Sequence, residues 1–425
     1  MKKTFYIILC LLSILLGACT QEQADIFDMS AAQRLSKAMN DGKDTLQSAH
    51  NGWVMEYFAT PESPGYTMLI KFNTSGQAII AGKSELTNNV LLTDSCLYKM
   101  IGDNGPVLTF DTFNKVLHAF SNPINPDGFG LEGDYEFVII SKTANEITLK
   151  GKKRGAIIKM TKVPNDITWQ QYFANLDAMN STLFGGKPPK LTMYFGNLRY
   201  WFSNGTTHIF DIIKSTASQS TIINSPFIVT PTGIRFYSTQ TIEGKNFQTL
   251  TLSANKSTLV SVESPEISLV GTEIIAEYFI DEAKQWIISP TELSPKVKAV
   301  YDKIVLSCKT KYKGDNMILS IIYHSTRKCF VFKITFNSGK TKYEGNADLT
   351  LNMAAKSELA IIYKGTCDNN FAKFYPETTG MNGMKEMIEL ISSNFVLTSQ
   401  TLINPQNIKL VQKLNADAWL NVSCQ

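Results

Sequence analysis

Histidine is scarce and falls in no pattern: His50, His118, His208 and His324 lie far apart, with no HExxH step and no paired ligand spacing. A zinc hydrolase normally carries such a helix motif, so that class is not supported. A GxSxG elbow, a phosphate-cradling glycine loop and a dinucleotide fingerprint are also missing, so the common nucleophilic and cofactor enzymes are not supported. None of the seven cysteines sits in a CxxC step, so redox and metal motifs find no support. Charge is thin at 18% of residues, and the formal balance is only +4. With no strongly basic stretch, recognition of nucleic acid by electrostatics is not expected.

Long apolar runs are missing too. The longest, Phe5 to Leu16 behind Lys2 and Lys3, is about a dozen residues and too short to span a bilayer as a helix. It reads as a leader, residues 1–18, ending at "LLGACTQEQ" (15–23). Leu16, Gly17 and Ala18 fit a lipoprotein signal peptidase, and Cys19 supplies the thiol that is acylated and becomes the mature N-terminus. Two or three acyl chains hold a protein durably on a membrane. Residues 19–29 then form the lipidated cysteine and a polar tether carrying Glu22, Asp25 and Asp28. Losing Lys2 and Lys3 leaves 39 basic against 37 acidic residues, a balance of +2. Cys308, Cys329, Cys367 and Cys424 can pair in an oxidising compartment or remain free, and connectivity is not readable from spacing.

What is there is hairpins. "IKFNTSGQAII" from Ile70, "YWFSNGTTHIF" from Tyr200 and "ITFNSGKTKY" from Ile334 each run an apolar strand ending in Phe into an Asn, Ser and Gly turn. Such turns tolerate the positive φ of a tight hairpin. Phe72, Phe202 and Phe336 recur about every 130 residues, a domain-sized period. Strands beginning at Phe137, Phe227 and Phe395 read as closing hairpins of the same units. In "CFVFKITF", Phe330, Phe332, Ile334 and Phe336 share one face.

Helices are few. Ser30 and Gln33 form a capping box, Thr168 and Gln171 repeat it, Ser294 with Pro295 opens a third helix, and Met384 to Ile391 a fourth. The expected fold is mainly β: tandem antiparallel units, sandwich or open-barrel and lipocalin-like, each preceded by a short helix. The units are residues 30–165, 166–288 and 289–425.

"GPVLTFDTFNKVLHAFSNP" (105–123) and "GLEGDYEFVI" (130–139), with "AAQRLSKAMNDGKDTLQSAHNGW" and "GYTMLIKFN" before them, carry a resemblance. The chain resembles, over essentially its whole mature length, a family of Bacteroidetes lipoproteins known only as a domain of unknown function. Members are typically encoded beside starch-utilisation-type importers, meaning a TonB-dependent transporter with its surface substrate-binding lipoprotein. The resemblance implies a companion of an import system at the outer membrane, on the cell surface. It offers no catalytic residues to carry over.

Three stretches are candidate sites. Glu132, Asp134 and Glu136 alternate as if along one strand face, with Asp127 on the preceding turn; they can be a solvated face, a Ca²⁺ site or an acid/base pair. Phe110, Phe113 and His118 form an aromatic stretch able to grip a sugar or peptide, or else to fill a core. In the third, Tyr194, Tyr200 and Trp201 surround Arg199, and either Trp201 or the Tyr200/Phe202 pair must face outward. The leading expectation is a non-catalytic surface lipoprotein, without a cofactor, that helps a TonB-dependent importer capture a glycan or peptide. A hydrolase accessory to the same system, or an adhesin or scaffold, is the alternative.

Overall fold

A computed structural model describes residues 28–123, 130–185, 191–215 and 220–425. The leader, Cys19 and Asp127 lie outside the described residues. Three closed antiparallel barrels of eight strands follow one another, each pairing sequential neighbours and closing first strand on last.

The first barrel is led by α1 (Ala31–Gln47), whose expected capping box is formed: Gln33 N donates to Ser30 Oγ at 3.3 Å and Ser30 N to Gln33 Oε1 at 2.9 Å. Its sheet runs from β1 (Trp53–Phe58) to β8 (Ile157–Lys162), and Met55 opposite Met160 closes it. The second is led by α2 (Trp169–Phe184), capped by Thr168, and runs from β9 (Leu191–Phe195) to β16 (Ser268–Val270). The third is led by a short α3 (Ile275–Phe279) and runs from β17 (Gln285–Leu293) to β24 (Asn415–Cys424). Among the described residues no helix is long and apolar enough to cross a membrane.

Side chains alternate in and out along each strand, and the inward set is large enough to fill the barrels. Tyr57, Phe110 and Phe137 occupy the first. Phe202, Phe210, Phe227, Phe236 and Phe247 stack through the second, with Phe210 and Phe227 centroids 4.5 Å apart. Trp286 lies flat on Phe279 at 4.9 Å in the third. The lipocalin-like outline therefore encloses packed cores, and the grooves lie outside them.

Three expectations about the repeat change. The helix opened by Ser294 and Pro295, α4 (Pro295–Lys311), lies between the first and second strands of its barrel, because Gln285–Leu293 already forms β17 ahead of it. The hairpins at Phe72 and Phe202 join second to third strands, but that at Phe336 joins third to fourth. Phe137 and Phe395 open the sixth strands of their barrels, whereas Phe227 lies well inside the fourth strand of its own, β12 (Ser220–Thr230), since aromatic and β-branched steps are common to strands generally. A better repeat marker is Trp53, whose Nε1 donates to Leu46 O at 2.7 Å, and Trp286, whose Nε1 donates to Phe279 O at 2.8 Å. Each pins a first strand to the helical segment seven residues back.

The barrels are locked together. Glu56 pairs with Arg235 between the first and second, Phe58 meets Tyr237 edge-on at 4.9 Å, and Ile157 N donates to the Tyr237 hydroxyl at 3.0 Å. Between the second and third, the loop joining β22 (Asn394–Thr398) to β23 (Asn407–Gln412) inserts Ile403, fully buried, into the core of the second barrel. Thr272 N donates to Leu402 O at 2.6 Å, and the Leu402 and Ile403 amides share Lys256 O. The five described body cysteines are all free.

Candidate functional site

The rim of the first barrel gathers three stretches far apart in sequence. One leaves β5 (Pro106–Phe110) and bends through Phe113 into a short 3₁₀ turn at His118–Phe120. Another, from Gly130, enters β6 (Glu136–Lys142), and the third is the turn 152–154 after β7 (Glu146–Gly151). Between them lies a cleft of about 760 Å³.

The bend exists because Asn114 caps it: its Oδ1 accepts from the amides of Val116 at 2.9 Å and Leu117 at 3.0 Å. That turns His118 inward, where its Nδ1 accepts from Asn114 N at 3.1 Å. The ring stacks on Tyr135 at 4.8 Å and lies 5.6 Å from Phe113. Burial lowers the His118 pKa, opposed by a hydrogen bond with the Phe110 backbone, so the imidazole is neutral at physiological pH. Phe113 and Tyr135 are 57% and 41% exposed, leaving an aromatic row with a neutral histidine in its middle. Phe110 is almost wholly buried in the barrel and contributes core, not contact surface.

The carboxylates do not alternate along a strand as the sequence reading expected. Strand β6 begins only at Glu136, and Glu132 sits at φ 59°, so the backbone turns between them. Asp134 points inward, its two oxygens accepting from Lys153 N at 3.1 Å and Arg154 N at 2.7 Å. Glu132 pairs with the Arg154 guanidinium, and Glu136 with Lys152 at 3.3 Å, which also meets Asp103 at 2.8 Å. Among the described residues no group of three or more His, Cys, Asp or Glu is placed to hold a metal ion, and Asp127 lies outside them.

Tyr194, Tyr200 and Trp201 belong to the second barrel and do not reach this cleft. Strand alternation resolves their orientation. Tyr200 and Phe202 face inward, with the Tyr200 hydroxyl on Glu243, while Trp201 is half-buried on the outer face. Tyr194 is exposed beneath the Arg199 guanidinium, 5.3 Å from its ring.

Sequence reasoning missed Tyr135 and the basic turn 152–154. The signal was present as charge complementarity: "GLEGDYE" carries three acids and "GKKRG" three bases about twenty residues on. It also missed a second groove where the first and second barrels meet.

Two crystal structures align along most of the chain: the β subunit of DNA polymerase from Streptococcus pyogenes, and the DNA polymerase III β chain from Streptococcus pneumoniae TIGR4. Each is 10% identical, covering 91% of this chain and 97% of its own, with TM-scores of 0.15 and 0.13. At such scores the likeness carries no argument. No curated protein matches the sequence. The model of one family, described as a domain of unknown function, DUF4302, matches residues 23–254, which takes in the first barrel, its rim cleft and most of the second barrel. More than half of the chain is matched, and the protein belongs to the DUF4302 family.

Proposed function

We propose that this protein is a non-catalytic binding lipoprotein, held on the outer membrane through acylated Cys19, that captures a glycan or peptide for a TonB-dependent importer. The observation that carries the reading is the pair of exposed rings, Phe113 and Tyr135, packed on the buried His118 ring beside a ring of charges already engaged with one another. Aromatic faces with fixed polar neighbours are the usual means of holding a sugar ring or an extended peptide. The carboxylates serve the architecture: Asp134 ties down the basic turn, and Glu132 and Glu136 hold its side chains. Both described polar contacts of the His118 ring are to backbone, which suits a rigid stacking surface better than proton transfer.

The mechanism is weak capture on a tethered rod, which raises the local ligand concentration at the transporter. The test has two arms. Native protein extracted in mild detergent is expected to bring a TonB-dependent transporter and its binding lipoprotein with it. The purified chain is expected to bind members of a glycan and peptide array, with Phe113→Ala and Tyr135→Ala each weakening binding about tenfold. Absence of affinity for glycans, peptides and importer subunits would overturn the proposal. Turnover of such a ligand, abolished in Glu132→Gln or Glu136→Gln, would replace it with a hydrolase.

A further inference from the structure

We propose that the groove where the first two barrels meet is a second binding site, built for a short neutral oligosaccharide. The groove has a volume of about 630 Å³. The first barrel forms one side, the second barrel the other, and α2 the third, so it exists only because the two barrels are docked.

Its back is apolar, from Phe173 and Leu176 of α2 and from Ile228 and Val229 of the second barrel. Its one lysine is already paired, and Glu85, which accepts the Tyr66 hydroxyl, keeps a free carboxylate oxygen as an acceptor for ligand hydroxyls. Lys83 Nζ lies 2.7 Å from both oxygens of Asp177, and the Tyr66 hydroxyl donates to Glu85. His208 is held across the joint, one ring nitrogen 3.3 Å from Gly65 O and the other 3.2 Å from Asn180 Oδ1. Burial lowers its pKa, so the ring adds no cation to the lining at neutral pH.

Beside Glu85, the unspent groups facing the groove are neutral. The Thr67 hydroxyl, the Asn89 side-chain amide and the Thr206 hydroxyl belong to its lining residues, and none of these three groups has a hydrogen-bond partner among the described residues. They come from both barrels, so one ligand can bridge them. Hydroxyl and amide groups around an apolar wall match a pyranose, which offers hydroxyls at its rim and C–H groups on its faces. An anionic ligand would find the lysine already taken. An extended peptide usually adds to a free strand edge, and both barrels are closed. The groove is separate from the rim cleft, and its ligand class does not depend on what that cleft holds.

The test uses the purified chain with four neutral sugars, maltotriose, cellotriose, xylotriose and triacetylchitotriose, and with anionic trigalacturonate for comparison, followed by saturation-transfer NMR and calorimetry. At least one neutral trisaccharide is expected to bind, with an affinity that is the same at low and high salt. Thr67→Val and Asn89→Ala are each expected to weaken it about threefold to tenfold, as one lost hydrogen bond should. Thr206→Trp, at an exposed position, fills the groove and should abolish binding, with the unfolding temperature checking that the barrels are intact. Leu306→Ala, exposed on α4 and lining neither hollow, should leave this binding unchanged, and its loss in Thr206→Trp assigns it to the groove and not to the rim cleft. No binding by any of the four sugars would overturn the proposal, as would binding that survives Thr206→Trp. So would retention of trigalacturonate alone, lost with added salt.

Discussion

Asp134 is the residue that gives the rim cleft its shape. Its carboxylate caps two amides of the turn 152–154 and so stands that turn against the acidic stretch. Such charge-assisted bonds contribute more than neutral ones. The third barrel has a comparable anchor in Asp348, which receives Arg327 Nε at 2.6 Å and Nη2 at 2.7 Å as well as the Thr366 hydroxyl at 2.7 Å. The Arg327 hydrogen bond, partly opposed by burial, holds the Asp348 pKa below the usual carboxylate range. A depressed folded pKa contributes stability above the unfolded value, near 3.9, that disappears as pH falls through the folded one. Urea midpoints are therefore expected to fall below about pH 4, and Asp348→Asn should flatten that acid limb while lowering the plateau. Identical acid limbs in both proteins would remove Asp348 from this role. The aromatic stretch 110–118 was legible as a candidate, but its partners were not. No local signal places Tyr135 on the His118 ring, and the polarity of His118 is decided by a backbone amide that only the folded bend presents.

Among the elements, the hairpins were the most legible, because their chemistry is local. Gly76 at φ 84°, Asn204 at φ 60° and Gly339 at φ 59° adopt the left-handed backbone that the Asn, Ser and Gly turns announce. The expected N-caps at Ser30, Thr168 and Ser294 and the helix Met384–Ile391 likewise formed where the sequence placed them, although at Thr168 only half of the expected box closes, because the Gln171 side chain turns to Asn175. The loop between β22 and β23 gave no such notice. Its Ile403 belongs by sequence to the third barrel and by packing to the second, and Gly271 makes room for it: a Cβ there would lie 2.4 Å from Ile403 Cα. Ile403→Ala is expected to destabilise by about 3 kcal/mol, through lost burial and the cavity left behind. Hydrogen exchange should show the loss in strands of the second barrel, residues 191–270, more than in the third. Loss confined to the third barrel would contradict that assignment.

At the scale of the whole molecule, three barrels behave as one body because each joint buries something that has no other home. Closure itself lay beyond the sequence, since β1 meets β8 across about a hundred residues and alternation is the same in an open sheet. The Glu56–Arg235 pair joins the first two barrels, and burial raises the Glu56 pKa despite the guanidinium beside it. A buried pair adds little net stability, but breaking one leaves an uncompensated charge. Glu56→Gln or Arg235→Met alone should destabilise by about 3 kcal/mol, and the double variant should recover to within about 1 kcal/mol of the parent. Additive losses in that cycle would mean the pair is not coupled. The inserted loop has a further consequence, one of timing. Residues 271–402 separate the last strand of the second barrel from the isoleucine that stoppers it. At ordinary rates of synthesis that interval is on the order of ten seconds. During it the emerging second barrel stands uncorked, so a chain cut short between residues 271 and 402 carries an open, greasy mouth by which proteases and chaperones can tell it from a finished one.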